Sequence, residues 1–119
     1  MKKFRELKVW QQSHQLVLDL YKISGQFLRD ELFGLISQTC RMAASIPANI
    51  AEGRGRNTDP ELRRYLTIAF GSASELEYHL LLAHDLGYLR TDTYSNLQTQ
   101  LESIKRMLHT FIQKLKAES

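Results

Sequence analysis

Basic side chains that could bind phosphate groups fall into two clusters. Four arginines lie within eleven residues around the glycine-rich segment EGRGRN, and four more basic residues crowd the amino-terminal segment MKKFRELKVW. Guanidinium and ammonium groups bind phosphates through charge and hydrogen bonds, so either cluster could contact RNA or DNA. The alternative is that both are ordinary solvated ends, with Asp59 and Glu61 partly cancelling the first cluster. The two clusters are Arg54, Arg56, Arg63 and Arg64, and Lys2, Lys3, Arg5 and Lys8.

The glycines between the arginines do not form a nucleotide-binding motif. P-loops and dinucleotide fingerprints follow a strand, and a P-loop also needs a lysine, whereas this segment has neither. Catalytic patterns such as HExxH and GxSxG do not occur in the chain. His79 and His84 are five residues apart and do not share a helix face, and Cys40 has no neighbouring histidine. We therefore expect a protein without catalytic activity, metal or cofactor.

A further set of polar residues recurs at three- and four-residue spacing and could meet between helices. A buried set would need a hydrogen-bond partner for each member, and it would more often fix helix register than catalyse. The alternatives are a solvated face or, as a weaker hypothesis, a ligand site in the bundle. The predicted network comprises Arg41, Ser45, Asn49 and Glu52 on one helix and Glu75 on the next.

Helical periodicity extends through the whole chain, and it predicts four helices over about residues 7–27, 31–52, 58–86 and 91–116. Thr58 and Glu61 form a capping box for the third helix, with Pro60 in its first turn. Gly53 and Gly87 are the expected stops of the second and third helices. Pro47 lies inside the second helix among small residues, which favours a packing kink over a site built on the freed carbonyl of Ala43.

Four helices of similar length with short connections predict one all-α domain over residues 1–119, an antiparallel up-down four-helix bundle. The first and third helices carry more apolar surface than one stripe facing the bundle core needs. That excess favours a homo-oligomer, and a wide core is the alternative.

Composition limits the function classes further. The 119-residue chain has a formal net charge of +3 and a pI near 9.1, which permits nucleic-acid contact without requiring it. One cysteine excludes an intrachain disulfide and favours a reducing compartment. The chain has no apolar run that could span a membrane. We expect a cytoplasmic protein with no membrane partner.

Three segments carry a family resemblance: FRELKVWQQSHQLVLDLY at 4–21, ELFGLISQTCRMAASIPANIAEG at 31–53 and YLTIAFGSASELEYHLLLAHDLGYL at 65–89. They resemble the four-helix-bundle proteins known as 23S rRNA intervening-sequence proteins. The resemblance implies a small antiparallel bundle that assembles as a homopentamer, and it carries no catalytic residues. A related group is the accessory protein of diversity-generating retroelements, a basic pentamer that works with a reverse transcriptase and nucleic acid.

These observations predict a non-enzymatic, homo-oligomeric bundle that binds RNA or DNA through its basic clusters. Binding would be electrostatic and largely independent of sequence, because no base-reading motif is present. The alternative is a protein-interaction scaffold, for example an accessory subunit of a partner enzyme such as a reverse transcriptase.

Overall fold

The structure, a computed structural model, describes residues 3–24 and 30–118, and within these the side chains of 30–33 are not described. The described residues form helices and no strands, so the predicted all-α class is confirmed. A short 3-10 helix at Phe4–Glu6 precedes α1 (Lys8–Ser24), α2 (Asp30–Arg54), α3 (Asp59–Asp85) and α4 (Thr91–Glu118). Lys2 and the predicted end of the first helix near Phe27 lie outside the described residues.

Both ends of α3 follow the local signals of the sequence. The Thr58 hydroxyl oxygen accepts a hydrogen bond from the Glu61 amide at 3.3 Å, and Pro60 occupies the first turn. After the last turn, Gly87 takes a φ of +82°, the left-handed region that favours glycine. The amides of Gly87 and Tyr88 donate to the carbonyls of His84 and Ala83, each at 2.9 Å. The Thr58 cap and the glycine stop therefore set the bounds of α3. Within the described residues only the Thr58 half of the predicted capping box forms, and the Glu61 carboxylate pairs with Arg64 instead.

Gly53 does not end α2, contrary to the expectation from sequence. The helix continues to Arg54, and Gly53 is buried against α3. A Cβ atom at this position would lie 2.8 Å from the Cβ of Tyr65 and 3.3 Å from the carbonyl oxygen of Leu62. Glycine is needed here because α2 and α3 approach too closely for any side chain. Close packing, rather than a left-handed turn, explains this residue.

The four helices surround one hydrophobic core. Among the described residues, α1 lies beside α2 and α4, and α3 also lies beside α2 and α4, whereas the pairs α1–α3 and α2–α4 have no Cα atoms within 8 Å and are diagonal. α2 remains one helix through the buried Pro47. Each helix supplies fully buried side chains to the centre, among them Leu16, Ile46, Ile50, Leu66, Leu76, Leu80, Leu101, Ile104 and Leu108.

Contacts between helices fix which parts of the chain lie together. Gly53 and Arg56 at the end of α2 contact Tyr65 near the start of α3. At the other end of α3, His84 stacks on Tyr94 of α4 with 4.6 Å between ring centroids. Earlier in α3 and later in α4, the Lys105 ammonium lies 5.2 Å from the Phe70 ring. The fold is elongated, with extents of 47, 20 and 19 Å.

A small cavity of about 30 Å³ marks one end of the core. It is lined by the last turns of α1, the first half of α2, the last turns of α3 and the segment that follows α3. Its walls include Leu20, Ile23, Leu35, Ile36, Cys40, Leu80, Ala83 and Leu89. The carboxyl-terminal ends of α1 and α3 therefore share one end of the molecule.

Large apolar side chains are exposed on α1 and α3, which are one of the two diagonal pairs of helices. Leu18 and Tyr21 of α1 are 49% and 53% exposed, and Tyr78 of α3 is 59% exposed. Ile68, Leu81 and Leu86 are also exposed on α3 or directly after it. No helix in the described part of the chain combines the length and apolarity that crossing a bilayer requires.

Candidate nucleic-acid interface

The corner between α2 and α3 gathers two of the predicted arginines around Tyr65. The Arg56 guanidinium lies 5.0 Å from the centre of the Tyr65 ring, and its Nη2 donates a 2.7 Å hydrogen bond to the Tyr65 hydroxyl. The guanidinium of Arg64 lies 5.4 Å from the same ring. Cations stack favourably on aromatic faces, so Tyr65 fixes the position of both charges.

Carboxylates partly neutralise this corner. Arg56 pairs with Glu52 at 3.3 Å, and Arg64 pairs with Glu61 at 3.9 Å. The Tyr65 hydroxyl and then the Glu52 carboxylate raise the pKa of Arg56 above its usual range. Arg54 and Arg63 have interaction partners as well. The positive field at this corner is therefore weaker than the arginine charges alone suggest, and the role of the four arginines in binding stays a prediction.

The amino-terminal cluster is placed differently. Lys3, Arg5 and Lys8 are exposed, and within the described part of the chain none of them forms an ion pair with a carboxylate. The backbone carbonyl of Arg5 accepts a 2.8 Å hydrogen bond from the Gln11 side chain, which ties the 3-10 helix to α1. The 3-10 helix also contacts α2. These cations are therefore held on the folded bundle with their charges open to solvent.

An aromatic stack lies beside these cations. The rings of Phe4 and Trp10 meet edge to face at 5.0 Å, and the Trp10 indole stacks on His14 at 4.8 Å. Trp10 is half-buried and packs against the core, whereas His14 is exposed. The stack anchors the amino-terminal segment to α1.

The predicted polar network does not form as a buried cluster within the chain. Arg41, Glu52 and Glu75 are exposed. The Ser45 hydroxyl donates to the Met42 carbonyl at 2.8 Å, and the Asn49 side chain donates to the Ser45 carbonyl at 2.7 Å. The two polar residues that are half-buried thus bond to their own helix, because Ser and Asn side chains can reach backbone carbonyls three and four residues earlier.

A different polar cluster joins α3 to α4, and the sequence analysis missed it. The Glu77 carboxylate accepts hydrogen bonds from Gln98 at 3.0 Å and from Lys105 at 3.2 Å. The Lys105 ammonium also lies over the Phe70 ring. The partners are 21 and 28 residues apart in sequence, so helical spacing within one segment gives no sign of them.

No metal-binding group is found within residues 3–24 and 30–118. No three side chains of His, Cys, Asp or Glu lie close enough there to share an ion. Cys40 is a buried free thiol beside Ser24, and burial raises its pKa.

Comparison with known proteins places most of the chain in one family. No curated protein matches the sequence significantly. Residues 5–110 match the family described as 23S rRNA-intervening sequence protein, and this range takes in all or part of each of the four helices. The chain therefore belongs to the 23S rRNA-intervening sequence protein family.

Proposed function

We propose that this protein is a non-enzymatic, homo-oligomeric, antiparallel four-helix bundle that binds RNA or DNA through basic residues concentrated at one end. The proposal rests above all on the distribution of charge along the bundle. It also places the protein in the cytoplasm, where a free thiol such as that of Cys40 stays reduced.

Connection lengths and contacts support the antiparallel order. Only residues 55–58 join α2 to α3, and only 86–90 join α3 to α4. Five residues span at most about 18 Å, which is less than half the length of α3 at about 1.5 Å per residue. These lengths support an arrangement in which each of these helices turns back along its predecessor. Because α1 ends beside the first half of α2, its start and the 3-10 helix lie toward the end of α2.

The antiparallel order brings basic residues from three segments to one end of the bundle. Residues 3–12, 52–64 and 106–118 come together at the end of the bundle where α1 starts and α4 finishes. These ranges contain ten Lys and Arg residues against five Asp and Glu, whereas the whole chain has a net charge of only +3. The remainder of the chain is therefore net negative. A localised positive end attracts polyanions even when the net charge of the protein is small.

The expected mode of binding is electrostatic. Lys and Arg that contact phosphates release condensed counterions, so affinity should fall steeply with salt, by a log–log slope of about 0.9 per phosphate contact on duplex DNA. No helix presents a recognised base-reading motif, so we expect weak dependence on sequence.

Fluorescence anisotropy with labelled RNA and duplex DNA, at low and near-physiological salt, tests this proposal. A Lys3, Arg5 and Lys8 to Gln variant should lower both affinity and salt slope. Neutralising Arg54, Arg56, Arg63 and Arg64 should have a smaller effect per charge, because carboxylates already pair with two of them. A charge-matched control replaces Lys22, Arg41 and Arg90 outside the basic end and should bind like the parent. Absence of binding at low salt would refute the proposal.

The oligomeric part of the proposal rests on the exposed apolar residues of α1 and α3. Patches on diagonal helices face opposite directions, so the α1 patch of one copy can cover the α3 patch of the next. Such head-to-tail contacts close into rings. A pentamer is the ring size that the family resemblance favours, and mass measurement by light scattering would test it.

The same exposed apolar faces support the second candidate, a protein-interaction scaffold. If nucleic acid does not bind, these faces would instead receive a partner protein, such as an enzyme that this protein assists. Exposed apolar patches commonly mark protein contacts. Separate loss of nucleic-acid binding and of assembly in the corresponding variants would distinguish the two candidates.

A further inference from the structure

The carboxyl-terminal half of α4 contains an open depression of about 360 Å³ that the sequence analysis did not single out. It is lined by Arg106, Met107, Thr110, Phe111 and Lys114. Met107 and Phe111 are half-buried and pack against the core with one side. Arg106, Thr110 and Lys114 are exposed. The result is an apolar and aromatic floor beside cationic and hydroxyl groups.

The two cations of this depression differ from those at the α2–α3 corner. Within the described part of the chain, neither Arg106 nor Lys114 has a carboxylate, a hydrogen bond or an aromatic ring as partner. They are eight residues apart on one helix, or about 12 Å along its axis. Phe111 lies between them in the sequence, on the adjoining stripe of the helix.

We propose that this depression binds single-stranded nucleic acid, with a base stacked on Phe111 and flanking phosphates bound by Arg106 and Lys114. The inference rests on the proposed function and adds to it a preferred ligand and a site on α4. Proteins that bind single strands combine a cationic groove with aromatic side chains on which bases stack. A duplex keeps its bases inside its own stack, so it could use the two cations but not the ring.

Charge favours a nucleic acid over a second copy of this chain as the occupant. A second copy would have to bring carboxylates to both Arg106 and Lys114, and the exposed faces of α1 and α3 carry few of them, among them Glu75 and Asp85 on α3. A single strand supplies both components, since it has an unpaired base for the ring and phosphates for the cations.

The test compares a labelled oligothymidine with the same strand in a duplex, by fluorescence anisotropy on the full chain. Phe111→Leu should weaken single-strand binding by about 5- to 150-fold and leave duplex binding unchanged. Phe111→Tyr keeps the ring and should bind like the parent. Replacing Arg106 and Lys114 with Gln should reduce the single-strand salt slope by about 1.4, or 0.7 per phosphate contact. Lys22→Gln with Arg41→Gln is the charge-matched control.

The outcomes separate this inference from the proposed function. If the parent protein binds neither nucleic acid at low salt, both fail. If the parent binds but the α4 variants bind single strands as it does, only the α4 site is wrong. If Phe111→Leu or the double Gln variant changes the oligomer mass, the depression is a contact between copies and the inference is overturned. If Phe111→Leu perturbs folding, the double Gln variant still tests the site, because Arg106 and Lys114 are exposed and their replacement should leave the fold intact.

Discussion

At the scale of single residues, Gly53 and Gly87 show two distinct reasons for glycine. Gly87 follows a helix and takes a positive φ, which the sequence could predict because the reason is local. Gly53 also follows an apolar helical stretch, yet its reason is the approach of Tyr65, twelve positions further along. A local pattern cannot distinguish these reasons, since the second depends on how two helices pack.

The close approach at Gly53 predicts a loss of stability in Gly53→Ala. The added methyl would lie 2.8 Å from the Tyr65 Cβ, an atom fixed to the backbone, so a helix must shift. We expect the free energy of unfolding to fall by about 1–3 kcal/mol, measured by urea denaturation. Gly34→Ala is the control, because an added Cβ there meets no atom within 4 Å. It should be neutral or stabilise by up to about 1 kcal/mol. Equal effects of the two changes would contradict the steric explanation.

Burial of Cys40 predicts that its thiol reacts slowly and that its contribution to stability depends on pH. Desolvation raises the pKa of this thiol, and a hydrogen bond with Ser24 opposes the rise only in part. The folded state therefore favours the neutral thiol. The contribution of this thiol to the free energy of unfolding is fully present below its pKa in the unfolded chain, about 8.5. It declines as the pH rises through the higher pKa of the folded state.

Two measurements check this expectation. A thiol reagent should react with Cys40 much more slowly in the native protein than in denaturant. The difference in unfolding free energy between the parent and Cys40→Ala should shrink as the pH rises above about 9. A native reaction rate equal to the denatured rate would show that the thiol is accessible.

At the scale of helices, the sequence predicted four elements and the limits of α3 because caps and periodicity act within a few residues. It predicted the end of α2 two residues early, since Gly53 suggested a stop where packing needed a small residue. The Glu77 cluster could not be predicted, because its partners meet only after α3 and α4 have packed. The predicted polar network was wrong because Ser45 and Asn49 bond to carbonyl groups of their own helix.

The cap of α3 predicts that Thr58→Ala destabilises the protein. The hydroxyl satisfies the Glu61 amide, one of the donors that a helix start leaves unpaired. We expect a loss of about 0.5–2 kcal/mol in thermal or urea unfolding. Thr67→Ala is the matched control, because this exposed hydroxyl donates only to the Arg63 carbonyl inside the helix. Its replacement should change stability by no more than a few tenths of a kcal/mol. A larger loss at Thr67 than at Thr58 would argue against the cap.

At the scale of the whole molecule, the arrangement of the apolar faces matters more for assembly than their area does. The exposed residues of α1 and those of α3 lie on helices that are diagonal in the bundle. Sequence periodicity showed that both helices have wide apolar surfaces. Only the packing order α1–α2–α3–α4 shows that the excess surfaces face apart.

Head-to-tail assembly predicts complementation between two variants. Leu18→Glu disables the α1 patch and leaves the α3 patch intact, while Tyr78→Glu does the reverse. Each variant alone should be a monomer by light scattering, because a buried unpaired carboxylate is strongly unfavourable. An equimolar mixture should form a dimer through the two intact patches and grow no further.

The control for this mixture replaces an exposed polar residue of α3, as in Thr67→Ala, which should keep the parent mass. Dimers formed by either variant alone would indicate a two-fold interface made by one patch. Monomers in the mixture would indicate that the α1 and α3 patches do not meet.

In the proposed antiparallel order, the uneven distribution of charge gives the protein an electric dipole along its 47 Å axis. Its net charge of +3 understates how strongly one end should adhere to a negative surface. We expect cation-exchange resin to retain the protein at salt concentrations where a uniformly charged protein of the same pI would elute. Near a polyanion, the dipole would turn the bundle end-on before contact, so that most encounters begin at the start of α1 and the finish of α4.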